Sequence, residues 1–279
     1  MNRMLPQPTG DLARFRRSPD QVMTLARMGA AHPTRLSFLR QLLRRMESEG
    51  WRFDRPLWDI NAKGVGRAVY RAIGPVRTYS LVAFAHDLPD EMRSDRVIAT
   101  AWDATFALFD GNPTREDIAR LEANVPLQEA GRITPHELSL SRANRSVRLF
   151  AHVVDRLAQG EQPDPAEVAA VGYLMRTTAV YGGGKFGLAD HETIRDRQEF
   201  SGPFAAEMLT VWLIREFSQD LVEHIARRRA PETAVPLAPE LRRHIGVGNS
   251  TGLGMAPFLT NHPVLLNNWE ATNFSFTHR

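Results

Sequence analysis

Apolar and polar positions alternate with two different periods along the chain. From Pro19 to about Glu49 the spacing is helical: Leu36, Leu39, Leu42 and Leu43 share a face and arginines line the other. Pro33 divides this stretch into two helices. Residues 1–18 are polar with two prolines and predict a loose arm. From Trp51 the character changes. "RAVYRAIGPVRTYSLVAFAH" is rich in Val, Tyr, Phe and Ile and predicts two strands around a Gly74-Pro75 turn. "WRFDRPLWDI" predicts a strand before them. "RVIATAWDATFALFDG" predicts one after, although a short apolar run of this kind fits a helix as well.

Beyond Gly111 the pattern predicts helices to the end. "NPTREDIARLEANV" has Pro113 at a first helical position and acids in the first turn. "TPHELSLSRANRSVRLFAHVVDRLAQG" opens on Thr134-Pro135 with Glu137 spaced for a capping box and stops at Gly160. "DPAEVAAVGYLMRTTAVYGGG" starts in the same way at Asp164-Pro165. In "GPFAAEMLTVWLIREFSQDLVEHIARRR" the apolar positions run from Phe204 through Trp212 and Phe217 to Ile225, too broad for a surface helix, so it belongs near the middle of a bundle. The expected fold is mainly α: a single domain over 19–279, a helical bundle with a small antiparallel β-meander near residues 51–109.

Composition narrows the function. A formal charge of only +3, with arginines mixed among acids, lacks the basic stripe of a nucleic-acid binder. No apolar run reaches the roughly 18 residues that a spanning helix needs. The N-terminal segment lacks the apolar core of a secretory signal. The absence of cysteine removes disulfides, thiolate nucleophiles and thiolate zinc sites, and a cytoplasmic location is expected. No H-E-x-x-H, G-x-S-x-G or dinucleotide fingerprint occurs, so no metal is expected and no organic cofactor is assigned.

Lysine usage points to a site. The chain has two lysines, Lys63 and Lys185, against 33 arginines. Lys185 stands in "YGGGKFG", where Tyr181, Gly182, Gly183 and Gly184 precede it. Three glycines exceed what a helix cap requires and let a ligand approach the backbone. Unlike arginine, lysine can give up its proton when desolvated, so Lys185 is the expected acid–base group or amine. His191, six residues on, is a candidate proton carrier. A second glycine cluster, "HIGVGNSTGLGMAP", offers Asn249, Ser250 and Thr251 with free backbone N–H groups, suited to phosphate or carboxylate. Arg142 and Arg145 in "LSRANRSVR", and Arg176 inside an apolar stretch, are candidate anion clamps.

The expected function is an enzyme for a small anionic metabolite, lyase- or isomerase-like, with both glycine loops lining its pocket. Two other readings fit the same residues: a non-catalytic anion-binding or regulatory module, and a helical subunit of a larger assembly. A homo-oligomer would form through the broad apolar helix or the aromatic end "NNWEATNFSFTHR".

Overall fold

The computed structural model describes residues 42–89, 91, 101–124, 134–182, 194, 196–201 and 205–249. Its centre is a seven-stranded sheet that curls into a half-barrel. The strands follow chain order: β1 (Arg52–Ile60), β2 (Gly66–Ile73), β3 (Thr78–Ala85), β4 (Ala104–Asp110), β5 (Glu137–Arg145), β6 (Tyr173–Gly182) and β7 (Gly246–Asn249). The first six form an antiparallel meander, and β7 pairs with β6 in parallel. The expectation of a mainly helical bundle is therefore overturned. Four strands do lie at 52–110, but they are the first part of a large sheet and not a small insertion.

Two expected helices turn out to hold as much strand as helix or more. In 134–160 only α2 (Phe150–Ala158) is helical, preceded by β5. "ELSLS" at the start of β5 alternates with period two, which is strand spacing. In 165–182, α3 (Pro165–Val171) stops at Gly172, whose φ of 76° ends the helix in the left-handed region, and β6 follows. The β-branched Thr177 and Val180 suit that strand. The front of the second glycine cluster, Gly246–Asn249, is strand β7 and not loop.

The remaining described helices are α1 (Arg115–Asn124), α4 (Ala205–Arg229), α5 (Pro239–His244) and a 3-10 turn at Gln198–Phe200, with helical residues also at 42–48. Helix α4 packs against the sheet face that carries Tyr70, Leu81, Ala83 and Phe106. Phe217 is its pivot, with ring centroids 5.4 Å from Phe106, 6.4 Å from Tyr70 and 6.1 Å from Trp58. Helix α2 and strand β7 contact other sides of α4, which explains its broad apolar surface. On the opposite sheet face α1 lays Ile118 and Leu121 over Val69, Val82, Phe84, Ala107, Phe109 and Leu140. The edge strand β1 carries Pro56 and a register break between Asp54 and Leu57, and residues 52–56 are exposed. Both devices discourage pairing with another chain.

Candidate functional site

The α1-side face of the sheet changes from apolar to polar along its strands. Phe84, Thr105 and Arg142 are register partners across β3, β4 and β5, so their side chains share this face. Asn144 follows Arg142 on the same face and is the partner of Arg176 on β6. The register break after Arg142 inserts one extra β6 residue, Thr178, which keeps Arg176 on Arg142's face. The two arginines are thus diagonal neighbours across β5 and β6.

Hydrogen bonds and ring contacts fix this cluster. The Arg142 guanidinium lies 5.3 Å from the centroid of the Trp102 ring. Asn144 Oδ1 accepts from the Asp103 backbone N–H at 2.9 Å. His86 Nε2 is 2.8 Å from Thr105 Oγ1. Thr105 is buried and His86, Trp102, Arg142 and Arg176 are half-buried. Burial holds the His86 pKa below the ordinary histidine value, against the opposing pull of the Asp103 and Glu122 carboxylates. The ring is therefore neutral near pH 7.

Arg145, grouped with Arg142 in the sequence, goes elsewhere. Its backbone N–H donates to Asp103 Oδ2 at 2.9 Å and its Nε lies 3.7 Å from Asp103 Oδ1. Its guanidinium covers the Phe150 ring at 4.7 Å and donates to the Gly64 carbonyl at 3.4 Å. Gly64 is packed against Ile225 of α4, so Arg145 lies on the α4 side, with the sheet between it and Arg142.

Parallel pairing of β6 and β7 sends the chain out of both strands in the same direction. Asn249 ends β7 opposite Thr177, whereas β6 runs on to Gly182, opposite Ser139. Arg142, opposite Ala179, sits between those two levels. Tyr181 lies in β6 opposite Leu140, and only the backbones of Tyr181 and Asn249 are described. Lys185, Gly184, His191, Ser250 and Thr251 lie outside the described residues. His86, Thr105 and Trp102 escape the sequence reading, whereas Asn144 reads there with Arg142 and Arg145 as donor capacity on one helix turn and lies instead on a strand. Nothing local announces His86, because its partner is 19 residues away.

A separate cavity of about 630 Å³ opens between α3 and α5, lined by Arg156, Gln162, Asp164, Leu241 and His244 among others. Its polar groups are used for folding. Asp164 accepts from Ala166 N–H at 2.8 Å, Gln162 bridges the Pro236 carbonyl and the Ala238 N–H, and Arg156 pairs with Glu161. Among the described residues no acidic or imidazole cluster is grouped to hold a metal ion, and no helix is long and apolar enough to cross a membrane. Comparison with protein-family models, curated proteins and solved structures finds no match.

Proposed function

We propose that the chain is an enzyme acting on a small carboxylate- or phosphate-bearing metabolite, held on the α1-side face of the sheet by Arg142 and Arg176. One observation carries this reading: both arginines share a half-buried polar face at the level where β7 ends and β6 continues toward the glycine-rich segment. Planar guanidinium groups at diagonal positions suit a carboxylate or phosphate, which each can grip with two N–H donors. Lys185 follows β6 by three residues, and as acid–base group or amine it supplies the proton transfer that lyase or isomerase chemistry requires.

Isothermal titration with phosphate, sulfate and succinate tests the site. The wild-type protein binds at least one of them, and Arg142→Ala and Arg176→Ala each weaken that binding at least tenfold. Absence of binding by all three anions, or binding indifferent to both substitutions, overturns the proposal. For a metabolite that is turned over, Lys185→Arg keeps binding but loses about 100-fold in turnover, the usual scale for removing a positioned acid–base group. Unchanged turnover removes Lys185 from the chemistry.

A further inference from the structure

We infer that anion binding on the Arg142 face is coupled to proton uptake by His86, whose ring is neutral in the empty site and becomes imidazolium when the anion arrives. This rests on the anion-site reading above and adds the group that senses the ligand.

The argument begins with what each histidine touches. Two half-buried histidines, His86 and His224, have pKa values held down by burial. Their partners differ in kind. His224 Nδ1 accepts from the Trp58 indole N–H at 3.1 Å, and its Nε2 faces the Asn61 carbonyl at 3.0 Å. An indole N–H only donates and a carbonyl only accepts, so these two partners fit the neutral ring and oppose a second proton. His86 Nε2 instead meets the Thr105 hydroxyl at 2.8 Å. A hydroxyl can donate to a bare ring nitrogen or accept from a protonated one by rotating its own hydrogen. The His86–Thr105 contact therefore survives a change of protonation state. Among the described residues nothing hydrogen-bonds to His86 Nδ1.

Charge placement supplies the switch. Burial disfavours the imidazolium, and the two carboxylates that face His86 are already engaged: Asp103 with Arg145, and Glu122 of α1 with Arg67 at 2.9 Å. The cation of the neighbouring strand is Arg142, directly opposite Thr105 in the register. An anion seated against Arg142 brings new negative charge to the sheet face that carries Thr105 and, hydrogen-bonded to it, the half-buried ring. An opposite charge within about 4–6 Å favours the charged form of a titrating group. Thr105 is too buried to react with a ligand and acts as the positioning residue, holding the ring while its proton count changes.

The test uses sulfate and succinate, neither of which takes up a proton near pH 7. Titration calorimetry in two buffers of different ionisation enthalpy reads the protons absorbed per anion bound. Wild-type protein should absorb a substantial fraction of one proton. His86→Gln should still bind the anion, with heat no longer dependent on the buffer. Nuclear magnetic resonance of the His86 ring proton gives a second readout in unsubstituted protein: saturating sulfate should raise its proton affinity at least tenfold. Anion binding lost in Arg142→Ala but showing no proton uptake, or the same uptake in His86→Gln, sinks this inference and leaves the anion site standing. If neither anion binds the wild-type protein, the site reading fails and this inference fails with it.

Discussion

Gly248 has no side chain because Tyr173 fills the space that one would need. A Cβ at Gly248 would lie 2.8 Å from Cγ of the Tyr173 ring and 2.9 Å from both Cδ atoms. The sequence presents this glycine as part of an anion-binding loop, but its contacts assign it to packing between β6 and β7. Gly248→Ala should therefore cost about 1–3 kcal/mol, the range for overpacking a close contact. The same substitution in a Tyr173→Ala background should cost much less, because the two effects share one cause. Equal losses in both backgrounds, read from thermal melts, would show that the ring is not the obstacle. The arginines illustrate the limit of reading residues one at a time. Arg142 and Arg145 are three apart and look like one cluster, yet a strand sends such residues to opposite faces. Arg142 and Arg176 are far apart in sequence and become neighbours through strand pairing and one extra residue in β6.

At the scale of elements, the regular helices and the first strands were legible, and β5, β6 and β7 were not. α1 begins at Arg115, with Thr114 and Asp117 bonded reciprocally: Asp117 N–H donates to Thr114 Oγ1 at 3.1 Å and Thr114 N–H to Asp117 Oδ2 at 3.0 Å. The similar pair at 134–137 also forms. Glu137 accepts from the Thr134 N–H at 3.1 Å and from its hydroxyl at 2.9 Å, yet a strand follows. The same turn chemistry can open either element, and only the period of the residues after it decides. The sequence reading carries the helix from Asp164 past Gly172, where α3 in fact ends, because the apolar run after it is ambiguous by periodicity alone. Element placement also depends on charge. Glu216, Asp220 and Glu223 fall on one stripe of α4, and Arg242 of α5 reaches all three at 3.4, 3.2 and 2.7 Å. Its guanidinium is partly exposed, so Arg242→Ala should cost about 1–3 kcal/mol, between the values for exposed and buried pairs. The loss should be local: backbone amides of β7, which follows α5, should exchange hydrogen faster, while those of β3 change less. A uniform change across β3 and β7 would mean that Arg242 does not anchor this edge of the sheet.

The whole molecule is a curled sheet with α4 against one face and α1 with a polar cluster on the other. The breadth of apolar positions in α4 signals a central helix. It does not tell whether other helices or a sheet surround that helix, since both bury every side. This architecture also sets how the fold responds to acid. His224 ties β1 and the turn at Asn61 to α4 as a neutral ring, and burial lowers its pKa, with the nearby Arg228 and Arg55 charges adding to the effect. His86 is lowered by burial as well. A histidine that binds its proton more weakly when folded is protonated first in the unfolded chain. Stability should thus be full above the unfolded value of about 6.5, fall as pH drops through the window beneath it, and level off once the folded rings are protonated too. A second decline of the same sign belongs to carboxylates. The Arg71 hydrogen bond lowers Asp54, and the Thr114 backbone N–H lowers Asp117, so their contributions are present above the usual aspartate range and vanish as pH falls through and below it. His224→Gln separates the two declines. The glutamine amide can accept from Trp58 and donate to Asn61 as the neutral ring does, but it cannot take up a proton. Denaturant melts across the pH range should show near wild-type stability at pH 7.5, a shallower loss beneath pH 6.5 with His86 still contributing, and an unchanged decline at aspartate pH. A wild-type slope beneath pH 6.5 in His224→Gln would show that the bonds joining β1 to α4 do not depend on a neutral His224.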